Sequence, residues 1–376
     1  MKNLLIHGDG IIGKLTAIAL SSFFDIYILP GQNNISLTNK QQRYFSINLL
    51  TKFMLEKYKI WDHLNNKELN GYNKIITWNQ SFDGNVTFNS SDISFDKLGY
   101  IIKESDIKES LDLQLSRKKN IFLLKSEDTD EIKGLNTEFI IKSDQLKDKI
   151  NFDKINYSQK AIVLDLTTDK SINTNIAYQR FDFEQIQGLL PISKNKFNLI
   201  WSAKNSFIDS LSKYDDSKMI STLNKHLRDK VGKITKISSR SMFPLSGYNA
   251  KKYIMNDTIL IGGAAHSVHP MAGLGLNMGI QDIFSLITSI EREDSISKAL
   301  KNYEKNCYIS NSRFFNTINL LVEFYTGDKI PDVIRSKSLL LFNKNKFLKN
   351  KIIEVATGVD MLKSKSKDEY CKPSYK

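Results

Sequence analysis

Cysteine is nearly absent from this 376-residue chain, whose Cys307 and Cys371 lie far apart without paired spacing. That argues against a disulfide framework or a zinc site and fits a reducing compartment. No uninterrupted apolar run is long enough to span a bilayer, and the opening MKNLLIHGDG has too short an apolar stretch for a secretory signal. A basic stripe interleaved with aromatics, the mark of nucleic-acid binding, is missing as well. The formal net charge is +13 and the pI near 9.3, yet the lysines are spread among asparagine and isoleucine throughout. They predict a solvated basic surface without a nucleic-acid site, with weak membrane attraction as a secondary reading. What is present is 41% hydrophobic content, enough for a large core and two or three domains. A cytoplasmic globular protein is expected, with a frayed lysine-rich tail over 364–376.

The first organised unit is a strand, a turn and a helix. Leu4 to Ile6 form a short apolar strand, Gly8, Gly10 and Gly13 have the G-x-G-x-x-G spacing, and Leu15 to Phe24 continue as a helix. A second strand is expected over Asp25 to Leu29. In a dinucleotide-binding unit the first glycine makes the turn, the second admits the pyrophosphate and the third lets the helix pack on the strand. An acid normally follows the second strand to meet the ribose. Here Pro30, Gly31 and Gln32 stand in its place, with Gln32 as a neutral acceptor.

The segment ILIGGAAHSVHPMAGLGLNMGIQD, from Ile259 to Asp282, reads as a buried strand, a small-residue turn and a helix with Asn277 in its first turn. It aims free backbone N–H groups at one place, favourable for an anion or an electron-rich ring edge. Elsewhere, Ile75–Trp78 and Asn85–Phe88 flank Asp83-Gly84 as a hairpin. Leu98–Lys103 predict a strand before a helix capped by Ser105. The block Ile176–Leu245 alternates as an antiparallel sheet, covered by a helix near Met219–Val231. Arg43 is expected to open an amphipathic helix that runs to Trp61.

These phrases in this order resemble the flavoprotein aromatic hydroxylases of ubiquinone biosynthesis, with their p-hydroxybenzoate hydroxylase-like fold; the likeness covers most of Met1 to about Gly358. It implies an α/β protein with a Rossmann-like FAD-binding domain over 1–74, 95–170 and 251–330. An interleaved antiparallel β-sheet substrate domain takes 75–94 and 171–250, and a C-terminal helical region takes 331–363. The resemblance assigns FAD to Gly8, Gly10, Gly13, Gln32, Arg43, Gly262, Gly263, Gly275, Leu276 and Asn277. Pro270 and Gly273 face the flavin ring, Pro244 and Leu245 the aromatic substrate, and no metal or acid–base residue is implied. The activity implied is ring hydroxylation of a polyprenyl phenol-like substrate through a flavin C4a-hydroperoxide, with NAD(P)H as electron donor. His266 and His269 read as structural hydrogen-bonders that fix the turn.

Several positions depart from the family. Gly263 replaces the aspartate of a Gly-Asp-Ala-Ala-His stretch, and Leu274 replaces a glutamine. The Ala-Asp-Gly segment that touches both cofactors is matched to AIVLDLTTDKS, with Asp165 and Ser171 as its remnants and a deletion after it. The competing reading is therefore a non-catalytic family member acting as a binding or scaffold subunit of a ubiquinone-biosynthesis assembly. A third is an oxidoreductase using another nucleotide. The apolar C-terminal helices leave open a contact with a membrane surface or partner, with packing against the nucleotide domain the first expectation.

Overall fold

The computed structural model describes residues 2–31, 42–64, 69–79, 82–125, 134–144, 150–182, 184–327 and 330–365. The chain begins β1 (Lys2–His7), α1 (Ile11–Leu20), β2 (Phe24–Leu29), β3 (Tyr44–Asn48), α2 (Leu49–Lys57), β4 (Asn70–Tyr72), β5 (Lys74–Asn79) and β6 (Phe82–Asn89). There follow β7 (Gly99–Lys103), α3 (Glu104–Leu115), β8 (Ile121–Leu123), β9 (Thr137–Lys142), β10 (Phe152–Thr168), β11 (Ile176–Asp182), β12 (Gln185–Ser193) and β13 (Lys196–Lys204). After α4 (Asn205–Ser212) and α5 (Asp216–Val231) come β14 (Ile234–Ala250), β15 (Ile254–Met255), β16 (Thr258–Leu260) and β17 (His266–Ser267). Five helices end the described chain: α6 (Gly275–Arg292), α7 (Ile296–Thr326), α8 (Asp332–Lys344), α9 (Lys346–Thr357) and α10 (Val359–Lys365).

Two large sheets and a small one organise these elements. The first has the order β15-β16-β9-β1-β2-β8, with β1 parallel to both β2 and β9. Its central strands read as continuous apolar runs because α1, α2 and α6 help bury them in one core. The second sheet, β17-β14-β10-β13-β12-β11-β5-β6, is largely antiparallel, and α5 covers one face through Met219, Leu223 and Leu227. A three-stranded sheet, β3-β7-β4, completes the set. The result is the expected mixed α/β architecture with C-terminal helices.

Several local expectations change. Arg43 precedes a strand: Tyr44–Asn48 pairs with β7, and the helix begins at Leu49 with the Asn48 side chain accepting from Thr51 N–H. Aromatic and β-branched residues at 44–47 suit a paired strand better than a helix start. Asn79 already pairs with Phe82, so Asp83 and Gly84 lie inside β6 and not at the turn. Ser105 falls within α3, whose N-terminus has no side-chain cap. The second stretch of chain in the antiparallel sheet begins at Phe152, because β10 pairs with both β13 and β14. That moves the expected boundary at 170 upstream. Residues 366–376 of the expected tail lie outside the described residues.

Candidate active site

The chain passes from β1 to β2 on one side, and β9 lies on the other, so the C-terminal end of β1 is a topological switch point. Gly8, Gly10 and Gly13 turn there. Gly8 has φ +116°, and a Cβ on Gly13 would lie 1.8 Å from the Gly8 carbonyl oxygen, so only glycine allows α1 to begin so close. No side chain caps α1 at Gly10, which leaves its first N–H groups aimed at the crevice.

One carboxylate that the sequence reading passed over stands at this turn. Asp144 follows β9, and its oxygens approach within 3.7 Å of a Cβ built on Gly10 and 1.9 Å of one built on Gly31. Burial, then the like charge of Asp9, pushes its pKa above the ordinary range. The Gly31 N–H donates to Asp9 Oδ1 at 3.1 Å. Ser143-Asp144 thus stands in the nucleotide domain, at the strand end beside β1. The assignment to AIVLDLTTDKS is corrected: those residues run through β10 and past its end, and Asp165 accepts from Asn198 Nδ2 (2.7 Å) and Ser239 Oγ (2.6 Å). The signal available in sequence was the apolar run Phe139–Ile141 ahead of Ser143-Asp144.

The second glycine segment meets the first through Ile12, which lies 2.7 Å from a Cβ built on Gly279 and 3.1 Å from one on Gly262. Asp282, fully buried, ties the turn from inside. It accepts from Gly262 N–H at 2.9 Å and His266 Nε2 at 2.7 Å through one oxygen, and from Asn311 Nδ2 at 2.8 Å through the other. Gly263 sits in the short turn Gly262–Ala264, where its carbonyl accepts from the Tyr248 hydroxyl at 2.6 Å. His269 fixes the next turn: its Nδ1 accepts from Met271 N–H at 3.2 Å, and its Nε2 meets Gln159 Oε1 at 3.1 Å. Burial lowers its pKa to about 4, so the ring is neutral.

The side chain of Asn277 bonds to the protein itself. Its Oδ1 accepts from Asn48 N–H (2.9 Å) and Thr51 Oγ1 (2.8 Å), and its Nδ2 donates to the carbonyls of Ser46 and Gly273, both at 2.9 Å. It fastens the Pro270–Gly273 turn to β3 and α2. The uncapped first turn of α6 still presents backbone N–H groups, and a Cβ on Gly275 would meet nothing within 4 Å.

Beside this turn lies a cavity of about 520 Å³, walled by β5, β6, β11 and β12, by the Pro270–Leu274 turn and by α7, α8 and α9. Its lining is predominantly apolar. Among its few polar groups, Ser46 Oγ and Tyr72 Oη share a hydrogen bond of 2.9 Å, and Ser46 Cβ lies 3.3 Å from a Cβ built on Gly273. Burial raises the Tyr72 pKa, which keeps the hydroxyl protonated.

The structure brings Gly8, Gly10, Gly13 and Gly262 together, and places Pro270 and Gly273 on the cavity wall. Gly275, Leu276 and Asn277 form the first turn of α6. It does not bring in the others. Arg43 pairs with Glu104 at 3.4 Å and lies over the Phe45 ring. Pro244 is exposed and Leu245 is buried in β14, and neither lines the cavity, because β14 lies four strands away from β11 in the sheet. Gln32 lies outside the described residues.

Residues 145–310 match the FAD binding domain family, a span that includes β10 to β17 and α6. Ubiquinone biosynthesis monooxygenase COQ6 of Rattus norvegicus is 25% identical across 94% of this chain and 90% of its own length. The 3-demethoxyubiquinol 3-hydroxylase of Escherichia coli K12 is 21% identical, covering 95% of this chain and 98% of that protein. The chain is thus similar to FAD-dependent monooxygenases over nearly its whole length. Among solved structures, p-nitrophenol 4-monooxygenase PnpA from Pseudomonas putida superposes with a TM-score of 0.70 at 14% identity, over 95% of this chain and 99% of that one. The Diels-Alderase PyrE3 superposes with a TM-score of 0.68 at 13% identity, over 95% and 80%. The fold alone therefore does not fix the chemistry. For FAD, the residues present fit. The turn admits no side chain at Gly13, α1 and α6 both begin without a side-chain cap, and Asp144 stands beside Gly10.

Proposed function

We propose that this chain is an FAD-dependent monooxygenase that hydroxylates a phenolic ring bearing a long apolar substituent. The observation that carries the reading is the 520 Å³ apolar cavity, which starts at the Pro270–Gly273 turn and ends between α8 and α9. Its size suits one small organic ligand. Two relatives are named for ubiquinone biosynthesis or a demethoxyubiquinol, which supports a ring with an apolar tail as the substrate class.

Gly8, Gly10 and the first N–H groups of α1 hold the pyrophosphate, and the first turn of α6 holds the ring edge. FAD, when bound, supplies the oxygen activation, with NAD(P)H as the proposed electron source. The protein's own part is position and dryness. Ser46 and Tyr72 hydroxyls orient the ring hydroxyl beside Gly273, while the apolar walls exclude water. The missing carboxylate at position 263 favours the second reading, a non-catalytic member that binds the apolar phenol for an assembly of such enzymes.

The test is a titration with FAD followed by turnover under labelled oxygen. Quenching of flavin fluorescence, with one labelled oxygen atom in a phenolic product, supports the first reading. Binding of the apolar phenol with no flavin binding supports the second and removes the first. Tyr72→Phe should raise KM for the phenol about 2- to 10-fold, the net worth of a hydrogen bond of roughly 0.5–1.5 kcal/mol, with FAD affinity unchanged.

A further inference from the structure

The C-terminal helices that wall the cavity also carry apolar side chains on the outside. On α8, Val333, Ile334, Leu340 and Leu341 are exposed, Leu341 at 70%. Their spacing places them in one stripe of the helix, and Lys337 and Lys344 fall in the same stripe. On α9, Phe347 is 83% exposed, and Leu348 and Ile352 lie one turn apart beside Lys351. Lys346 is exposed at the start of that helix. Large side chains this open on consecutive helices mark an interaction face, because single-chain surfaces rarely leave contiguous apolar area in water.

We infer that α8 and α9 dock this protein on an anionic lipid surface, with the cavity mouth facing the acyl chains. Charge selects the lipid. Apolar residues inserted at the headgroup boundary, flanked by lysines, fit a negatively charged leaflet. A second copy meeting the same face across a two-fold axis would set these lysines against their own equivalents. The cavity supplies the second argument, since Leu348 and Ile352 are at once exposed and part of its lining. An apolar molecule can pass between bilayer and cavity there without crossing water. No described helix is long and apolar enough to cross a membrane, so the contact is peripheral. The inference does not rest on oxygenase activity, because vesicle binding needs neither FAD nor turnover.

The experiment is flotation of the full chain with phosphatidylcholine vesicles, with and without phosphatidylglycerol, at low and high salt. Binding is expected only with the anionic lipid, and salt should weaken it. Lys344→Ala should weaken it roughly fivefold, the effect of one lysine at such a surface. The double substitution Leu341→Asp, Phe347→Asp should reduce binding at least about tenfold with an unchanged melting temperature, since both side chains are exposed. No flotation of the wild type, equal flotation with both lipids, or wild-type binding by the double variant overturns the inference. So does a dimer in sedimentation that the double variant abolishes, which would assign the face to a second copy.

Discussion

Restoring a carboxylate at position 263 should tighten FAD binding. Gly263 lies in the turn after β16, held in place by the Asp282 carboxylate below and the Tyr248 hydroxyl above. The described glycines with positive φ are Gly8, Gly232, Gly262, Gly273 and Gly358. Gly263 is not one of them, so an aspartate there carries no left-handed strain. A hydrogen bond from a ribityl hydroxyl to a charged acceptor contributes roughly 1.5–3 kcal/mol, which is about 10- to 150-fold in affinity. Gly263→Asn offers a neutral acceptor worth roughly 0.5–1.5 kcal/mol, or about 2- to 10-fold. Either residue also stiffens the unfolded chain by roughly 0.4–1 kcal/mol relative to glycine. The readout is therefore the dissociation constant from flavin-fluorescence titration and not the melting temperature. The expected order of affinity is Asp, then Asn, then the native glycine. An Asp variant that is folded, melts no lower than the wild type and binds FAD no tighter would refute the placement of this turn at the ribityl chain.

Asp282→Ala removes three hydrogen bonds to a fully buried carboxylate; chemical denaturation should show a loss of about 3–5 kcal/mol, with weakened FAD binding as the turn relaxes. Gly13→Ala places a Cβ 1.8 Å from the Gly8 carbonyl oxygen and should lower stability by about 1–3 kcal/mol. Gly275→Ala meets nothing within 4 Å, so it should not lower the melting temperature while weakening FAD binding. His269 gives a pH signature. Its folded pKa of about 4 lies below the ordinary histidine value of 6.5, so the unfolded chain binds more protons between those values and stability rises with pH. The contribution, about 3 kcal/mol, is present in full above the unfolded pKa and lost as pH falls toward the folded one. Urea denaturation of His269→Asn should lack that slope; an identical slope would show that another group carries it.

Much of the site was legible because its signals are local. The spacing of Gly8, Gly10 and Gly13 encodes a turn in six residues, and Ile259–Asp282 encodes strand, turn and helix without reference to the rest of the chain. Arg43 and Asp165 show where such reading fails. Tyr44–Ile47 carries both a helical and a strand pattern, and pairing with β7 decided between them. The segment around Asp165 follows the hairpin in the right order, yet its pairing with β13 and β14 places it in the antiparallel sheet. Histidines 266 and 269 were legible as turn-fixing groups; their partners Asp282 and Gln159 were not.

The sequence by itself determined the likeness to flavoprotein hydroxylases, the two glycine turns and the departure from that likeness at position 263, all properties of short contiguous segments whose backbone geometry depends on residue type. Only the tertiary structure decided that Asp144 stands at the first turn, because β9 reaches β1 across more than a hundred residues of chain. The same holds for the tethering role of Asn277 and for the cavity. Its walls come from strands and helices scattered from Ser46 to Thr357, and no local periodicity reports which distant faces will meet when each buries its apolar side.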